Sequence, residues 1–173
     1  MKTFKQFMIE MPYNVRVPRY DDRPEVMSNS DDVRRETFST TPTHRFHREK
    51  FFNKHKYFDI KVSDHHGNVH FNISGVGNTK DKSFKVAMAN GYKGRNIKYH
   101  QVIHHLISNG HINHWKSNVD HSPGSKKTYS ELAKYPDLHV AHVDQRTGGA
   151  THATPDNIHK FYGREGRFEV TKK

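Results

Sequence analysis

Gly91-Tyr92-Lys93-Gly94-Arg95-Asn96 sets two glycines and two cations just ahead of a segment with helical periodicity. Phosphate binding suits such a stretch. Gly94 permits close backbone approach, a helix beginning near Ile97 presents free N–H groups, and Lys93 and Arg95 add positive charge. The same six residues equally suit a plain glycine-containing turn between a strand and a helix. Histidine offers a second chemistry, because His100 and His104 stand at i, i+4, a spacing able to hold a metal. No Glu completes a His-Glu-x-x-His pattern there, so a solvated helix face is expected and no metal.

The elements that must position these residues follow from periodicity. Tyr57 to Ser63 and Val69 to Ser74 alternate as strands around the turn His65-His66-Gly67-Asn68. Gly75 to Lys82 reads as a polar turn and Ser83 to Ala89 as a third strand, completing a meander. Ile97, Tyr99, Val102, Ile103, Leu106 and Ile107 follow a helical period over Ile97 to Asn109, with Gly110 suited to end it. His111 to Ser117 is a short strand. Ser122 as N-cap and Pro123 at the first position open a second helix to about Lys134. Leu138 to Val143 is a strand, Asp144 to Thr151 a mobile polar loop, Ile158 to Tyr162 a turn and Arg167 to Thr171 a last strand. The fold class is therefore mixed α/β, in one domain over residues 51–173.

Before it, Pro12 to His47 carries Pro12, Pro18, Pro24 and Pro42 among Ser, Thr, Asp and Arg, which reads as a flexible basic arm over residues 1–50. Asp31 to Glu36 fits a helical turn or, with its mixed charges, a solvated stretch. The 173 residues include 29 Lys and Arg against 18 Asp and Glu, for a net charge of +11, with a pI near 9.8. Such a surface attracts polyanions: nucleic acid, an acidic protein or a phosphorylated cofactor. Cysteine is absent, which excludes disulfides, thiolate metal sites and Cys nucleophiles. No apolar run approaches the roughly 20 residues that span a bilayer, so a soluble intracellular protein with no membrane partner is expected.

The order of meander, glycine-bearing loop, helix, strand, helix and further strands resembles the C-terminal two-thirds of the GNAT family of acyl-CoA N-acyltransferases, over about Tyr57 to Val143. In that family a Gln/Arg-x-x-Gly-x-Gly/Ala loop cradles the cofactor pyrophosphate; Gly91 to Asn96 has the spacing and keeps the central Gly94. The family's Asn-x-x-Ala-x-x-x-Tyr helix is matched in spacing by Ser122 to Tyr129, with Ser122 for Asn, Ser125 for Ala and the Tyr retained. The resemblance thus implies acyl-CoA contacts at Gly91, Lys93, Gly94, Arg95, Asn96, Ser122 and Ser125, and makes Tyr129 the acid that protonates the departing thiolate. Read without the family, Tyr129 is a half-buried aromatic at helical spacing with Leu132. Trp115-Lys116-Ser117-Asn118 followed by Ser122 to Leu132 also resembles small bacteriophage GNAT-like proteins, with Asn118 in place of an acid. For the base that receives the proton of the acceptor amine, His114 and His142 are the candidates.

Met1 to Glu10 resembles the leaders that direct internal proteins into the heads of T4-like bacteriophages, with Met8-Ile9-Glu10 as the cleavage pattern and Met11 departing from it. Phe4, Phe7 and Met8 at helical spacing fit a short docking helix as well. The leader implies the cytoplasm of an infected cell and packaging in the phage head. Two other classes stay open. A GNAT-like scaffold without enzymatic activity would bind DNA, RNA or a host protein through Arg16, Arg19, Arg34, Arg35, Arg45 and Arg48. The residues Asp120, His121, His139, His142, Asp144, His152, Asn157 and His159 offer the types used by HNH nucleases, but in an order interrupted by a whole predicted helix.

Overall fold

Apolar side chains at every second position give the strands one buried face. In β3 (Tyr57–Asp64) these are Phe58, Ile60 and Val62, and in β4 (Val69–Asn78) they include Phe71 and Ile73. The computed structural model describes residues 33–40, 44–51, 57–78, 80–119 and 121–173, and of 33–40, 47–51 and 57 the backbone alone. The other strands are β1 (Val33–Thr40), β2 (His44–Phe51), β5 (Ser83–Gly91), β6 (His114–Lys116), β7 (Leu138–Asp144), β8 (Ala150–His152) and β9 (Gly166–Lys172). They form one nine-stranded sheet in the order β1-β2-β3-β4-β5-β6-β9-β7-β8. Its pairings are antiparallel except that of β5 with β6, which is parallel. The chain is thus of the mixed α and β class, with a mainly antiparallel sheet.

Two helices, α1 (Tyr99–Ser108) and α2 (Pro123–Leu132), cover one face of that sheet. Trp115 fixes their common side, since its indole meets Tyr99 of α1 and donates to the Tyr129 hydroxyl of α2. Val102, Ile103, Leu106 and Ile107 of α1 and Tyr129 and Leu132 of α2 are buried against Ile73, Phe84, Trp115, Phe168 and Val170. Each such side chain contributes about 1.5–3 kcal/mol on burial. Ser122 caps α2 as its spacing predicts, accepting from the Ser125 N–H at 3.2 Å, and Gly110, at φ 69°, follows the end of α1.

The sheet begins before the predicted boundary at residue 51. β1 and β2 occupy part of the stretch read as a flexible arm, and Val33 to Glu36 is strand, not a helical turn. Phe46, opposite Val62, is fully buried and stacks on His105 of α1. Phe46 among charged neighbours gives little periodic signal, while the edge of β3 supplies a full row of backbone partners. Residues 1–32, including the leader and Arg16 and Arg19, lie outside the described residues. A further expectation is revised. β4 extends through Gly75 and Gly77 into the predicted turn, where a side chain would strike the Lys85 carbonyl or the Phe58 ring. The Asp144 to Thr151 segment connects β7 to β8 through a turn in which Asp144 Oδ1 accepts from the N–H groups of Arg146 and Thr147.

Candidate functional site

The parallel strands β5 and β6 stay paired only from Ser83 opposite His114 to Lys85 opposite Lys116. Beyond Lys116 the chain keeps its ladder to β9, the Ser117 N–H donating to the Phe168 carbonyl, but no longer pairs with β5. β5 itself bends at Ala87, the extra residue between the pairs Ser74–Met88 and Gly75–Val86. A cleft of about 760 Å3 opens where the strands part. Ala87 and Met88 form one wall and Ser117 and Asn118 the other, with a long 3.5 Å contact from Asn118 Nδ2 to the Ala87 carbonyl between them.

Both helices start at this cleft. Lys98, Tyr99 and His100 at the head of α1 and Ser122, Gly124 and Ser125 at the head of α2 all line it. Helix starts leave backbone N–H groups without intrahelical acceptors, here those of Tyr99, His100 and Gly124, and the helix dipoles add positive potential. Arg95, Lys98 and Lys127 line the same cleft. Among the described residues that line it, the one carboxylate, Glu131, accepts from Lys134 Nζ at 2.8 Å, a bond that lowers its pKa, and the described lining is net cationic. This donor set fits a pyrophosphate.

The loop ahead of α1 is built for shape. Gly94, at φ 73°, has open space around it, so backbone conformation alone calls for glycine there. Arg95 folds back, donating from Nη1 to the Tyr92 carbonyl at 3.1 Å with its guanidinium 5.5 Å from the Phe71 ring. Gly91 makes room, since a side chain at that position would come within 2.9 Å of Phe71 and 3.2 Å of Arg95. Asn96 Oδ1 lies 2.8 Å from His44 Nε2, which ties the loop to β2. Of the residues assigned to acyl-CoA, Gly91, Arg95, Ser122 and Ser125 line the cleft, whereas Lys93, Gly94 and Asn96 lie on the loop outside its lining.

Tyr129 lines the cleft from α2 yet is only 2% exposed. Trp115 Nε1 donates to its hydroxyl at 3.2 Å and Phe168 stacks on its ring. Burial pushes the phenol well above its ordinary pKa, and hydrogen bonds from Trp115 and Ser117 offset only part of this, so the group stays protonated. An indole N–H only donates, which leaves the phenol proton for another partner.

His114 is elsewhere. Successive residues of a strand face opposite ways, and Trp115 points to the helices, so His114 lies on the far face, where Nε2 meets Glu169 Oε2 at 2.6 Å beside Arg167. The structure does not bring it to Tyr129, so it is no base for chemistry at that hydroxyl. His142 is buried in β7, its ring stacked on Phe161 at 4.8 Å, and it does not line the cleft. The His100 and His104 pair is not a solvated face. His104 Nε2 lies 2.9 Å from Asp137, and His100 Nδ1 lies 3.1 Å from the Tyr135 hydroxyl. Of the residues considered for an HNH site, His139 and His152 stack on each other, Asp144 caps its turn and His121 packs near Tyr129, while Asp120 lies outside the described residues. Among the described residues no group of three or more His, Asp or Glu is arranged to hold a metal, and no helix is long and apolar enough to cross a membrane.

Lys98 and Lys127 are cleft residues to which the sequence reading gave no role, and His100, read there only as one of a histidine pair, lines the cleft as well. Nothing distinguishes two lysines among 29 Lys and Arg until both helix starts are seen to face one opening. Comparison with protein-family models, curated proteins and solved structures finds no match.

Proposed function

We propose that the chain is an acyl-CoA-dependent N-acyltransferase of GNAT type. The observation that carries the reading is the meeting of two helix starts, three cations and a buried protonated tyrosine on one cleft, where a parallel strand pair separates. When bound, acyl-CoA supplies an acyl group on a thioester for transfer to an amine. The N–H groups of Tyr99, His100 and Gly124, with Lys98 and Lys127, hold and orient its phosphates. Ala87 and Asn118 line the passage between the strands. Tyr129, kept protonated by burial, is the group on the cleft that can give its hydroxyl proton to a departing thiolate.

Calorimetric titration of the full chain with acetyl-CoA and desulfo-CoA tests this. Micromolar binding, at least tenfold weaker in Lys98→Glu, supports the reading. Absence of binding retires it in favour of a scaffold that uses its +11 charge to bind nucleic acid or a host protein, for which a salt-titrated DNA-binding assay is the next measurement.

A further inference from the structure

Phosphate binding and proton donation make no use of the Ser125 hydroxyl, although Ser125 lines the cleft from the first turn of α2. A base stands beside it. His121 Nδ1 lies 3.3 Å from Ser125 Oγ, the reach that a nucleophile and its base show before a ligand tightens the site. The imidazole is held there by two rings, edge-on to Tyr129 at 5.9 Å and tilted against Phe168 at 5.1 Å. Asp120 lies outside the described residues, and no step is assigned to it.

The contact is not needed to cap the helix. Ser122 is the N-cap, its hydroxyl accepting from the Ser125 N–H at 3.2 Å and its carbonyl from the Lys126 N–H at 3.0 Å. Tyr129 follows Ser125 by four residues, so the two side chains rise from neighbouring turns of α2, and both residues line the cleft. The Gly124 N–H, next to Ser125 at the start of the helix, is a donor for an oxyanion that develops over the serine.

We propose that Ser125, with His121 as its base, takes the acyl group as an ester and passes it to water, an acyl-CoA hydrolase activity besides transfer to an amine. The choice of acyl-CoA as donor rests on the acyltransferase reading; the nucleophile rests on the serine and histidine pair. His121 Nδ1 takes the hydroxyl proton as Ser125 Oγ attacks the thioester carbonyl. The C–S bond then breaks, and the departing sulfur takes that proton from the His121 imidazolium. Water attacks the ester with His121 again as base, the bond from the acyl carbon to Oγ breaks, and the proton returns to Oγ. Acyl-CoA and water thereby become a carboxylic acid and CoA, with the chain regenerated.

The test incubates the full chain, without any amine, with saturating acetyl-CoA or with p-nitrophenyl acetate, an activated ester that needs no CoA site. Each reaction is quenched in acid and the acetyl group is located by peptide mass spectrometry. Acetyl-CoA should give a burst approaching one thiol per chain and then slow turnover, with the acetyl group on Ser125. Ser125→Ala should abolish labelling of that peptide by both donors, Ser125→Cys should retain it as a thioester, and His121→Gln should slow it about 100-fold. The inference is overturned if bound acetyl-CoA leaves no acetyl group on Ser125, if Ser125→Ala gives the same burst, or if His121→Gln is labelled as fast as wild type. Failure of the wild-type chain to bind desulfo-CoA in calorimetry would instead sink the acyltransferase reading. Labelling by p-nitrophenyl acetate then decides the nucleophile: an acetyl group on Ser125 upholds it, and none overturns it.

Discussion

Trp115 Nε1 donates to the Tyr129 hydroxyl at 3.2 Å, joining the middle of the shortest central strand to the helix that bounds the cleft. Because both residues are at most 2% exposed, the bond fixes the phenol at the point where β5 and β6 part. Tyr129→Phe removes the proton donor and keeps the ring. Thiol release from acetyl-CoA in the presence of an accepted amine should fall at least 100-fold, the lower range for loss of a general acid, with desulfo-CoA affinity unchanged. Unchanged turnover would remove the acid role. The indole N–H left without its acceptor costs about 1–3 kcal/mol, to be read by urea unfolding.

Phe46 decides where the domain begins. Its full burial against α1 makes β2 part of the core. Phe46→Ala should destabilise the chain by about 3–5 kcal/mol in urea unfolding. A loss under 0.5 kcal/mol would return this strand to the status of an arm.

Stability should fall as the medium is acidified below neutrality. Burial lowers the pKa of His142, His100, His105 and His139, with neighbouring charges modifying each. A lowered folded-state pKa means that the unfolded chain takes up its proton first. These groups therefore cost nothing above the unfolded value of about 6.5 and remove stability as pH falls through it toward the folded values. His142 is the clearest case, since its buried Nε2 has no hydrogen-bond partner among the described residues. His142→Leu should flatten the decline in urea midpoint between about pH 6.5 and 5; an unaltered slope would show that His142 is not a source of it.

Gly94→Ala isolates the loop from the core. The substitution meets no atom within 4 Å but forces a side chain to φ 73°, at about 1–2 kcal/mol. Desulfo-CoA affinity should drop severalfold as the loop shifts the start of α1, with the urea midpoint lowered modestly. Full affinity with lowered stability would mean that the loop and the cleft are independent.

Much of this architecture was legible because α1, α2 and the strands from β3 to β7 carry clean periodicities and caps such as Ser122-Pro123. β1 and β2 were not, since Phe46 stands among charged residues and the partner strand supplies what pattern does not. The grouping of Gly91, Ser122, Ser125 and Tyr129 came from the family resemblance, and the structure places all four on one cleft. The separation of β5 and β6 after Lys85 and Lys116 could not be read from a three-residue strand. The misplacement of His114 was avoidable: Trp115, as the one large apolar residue of β6, had to face the core, which sends His114 to the opposite side.

Amide NMR of the full chain during titration with desulfo-CoA tests the central claim most directly. The account expects the largest shifts at the Tyr99, His100 and Gly124 N–H groups, saturating together at micromolar ligand. Shifts confined to the far face around His114 and Glu169, or none at millimolar ligand, would contradict it.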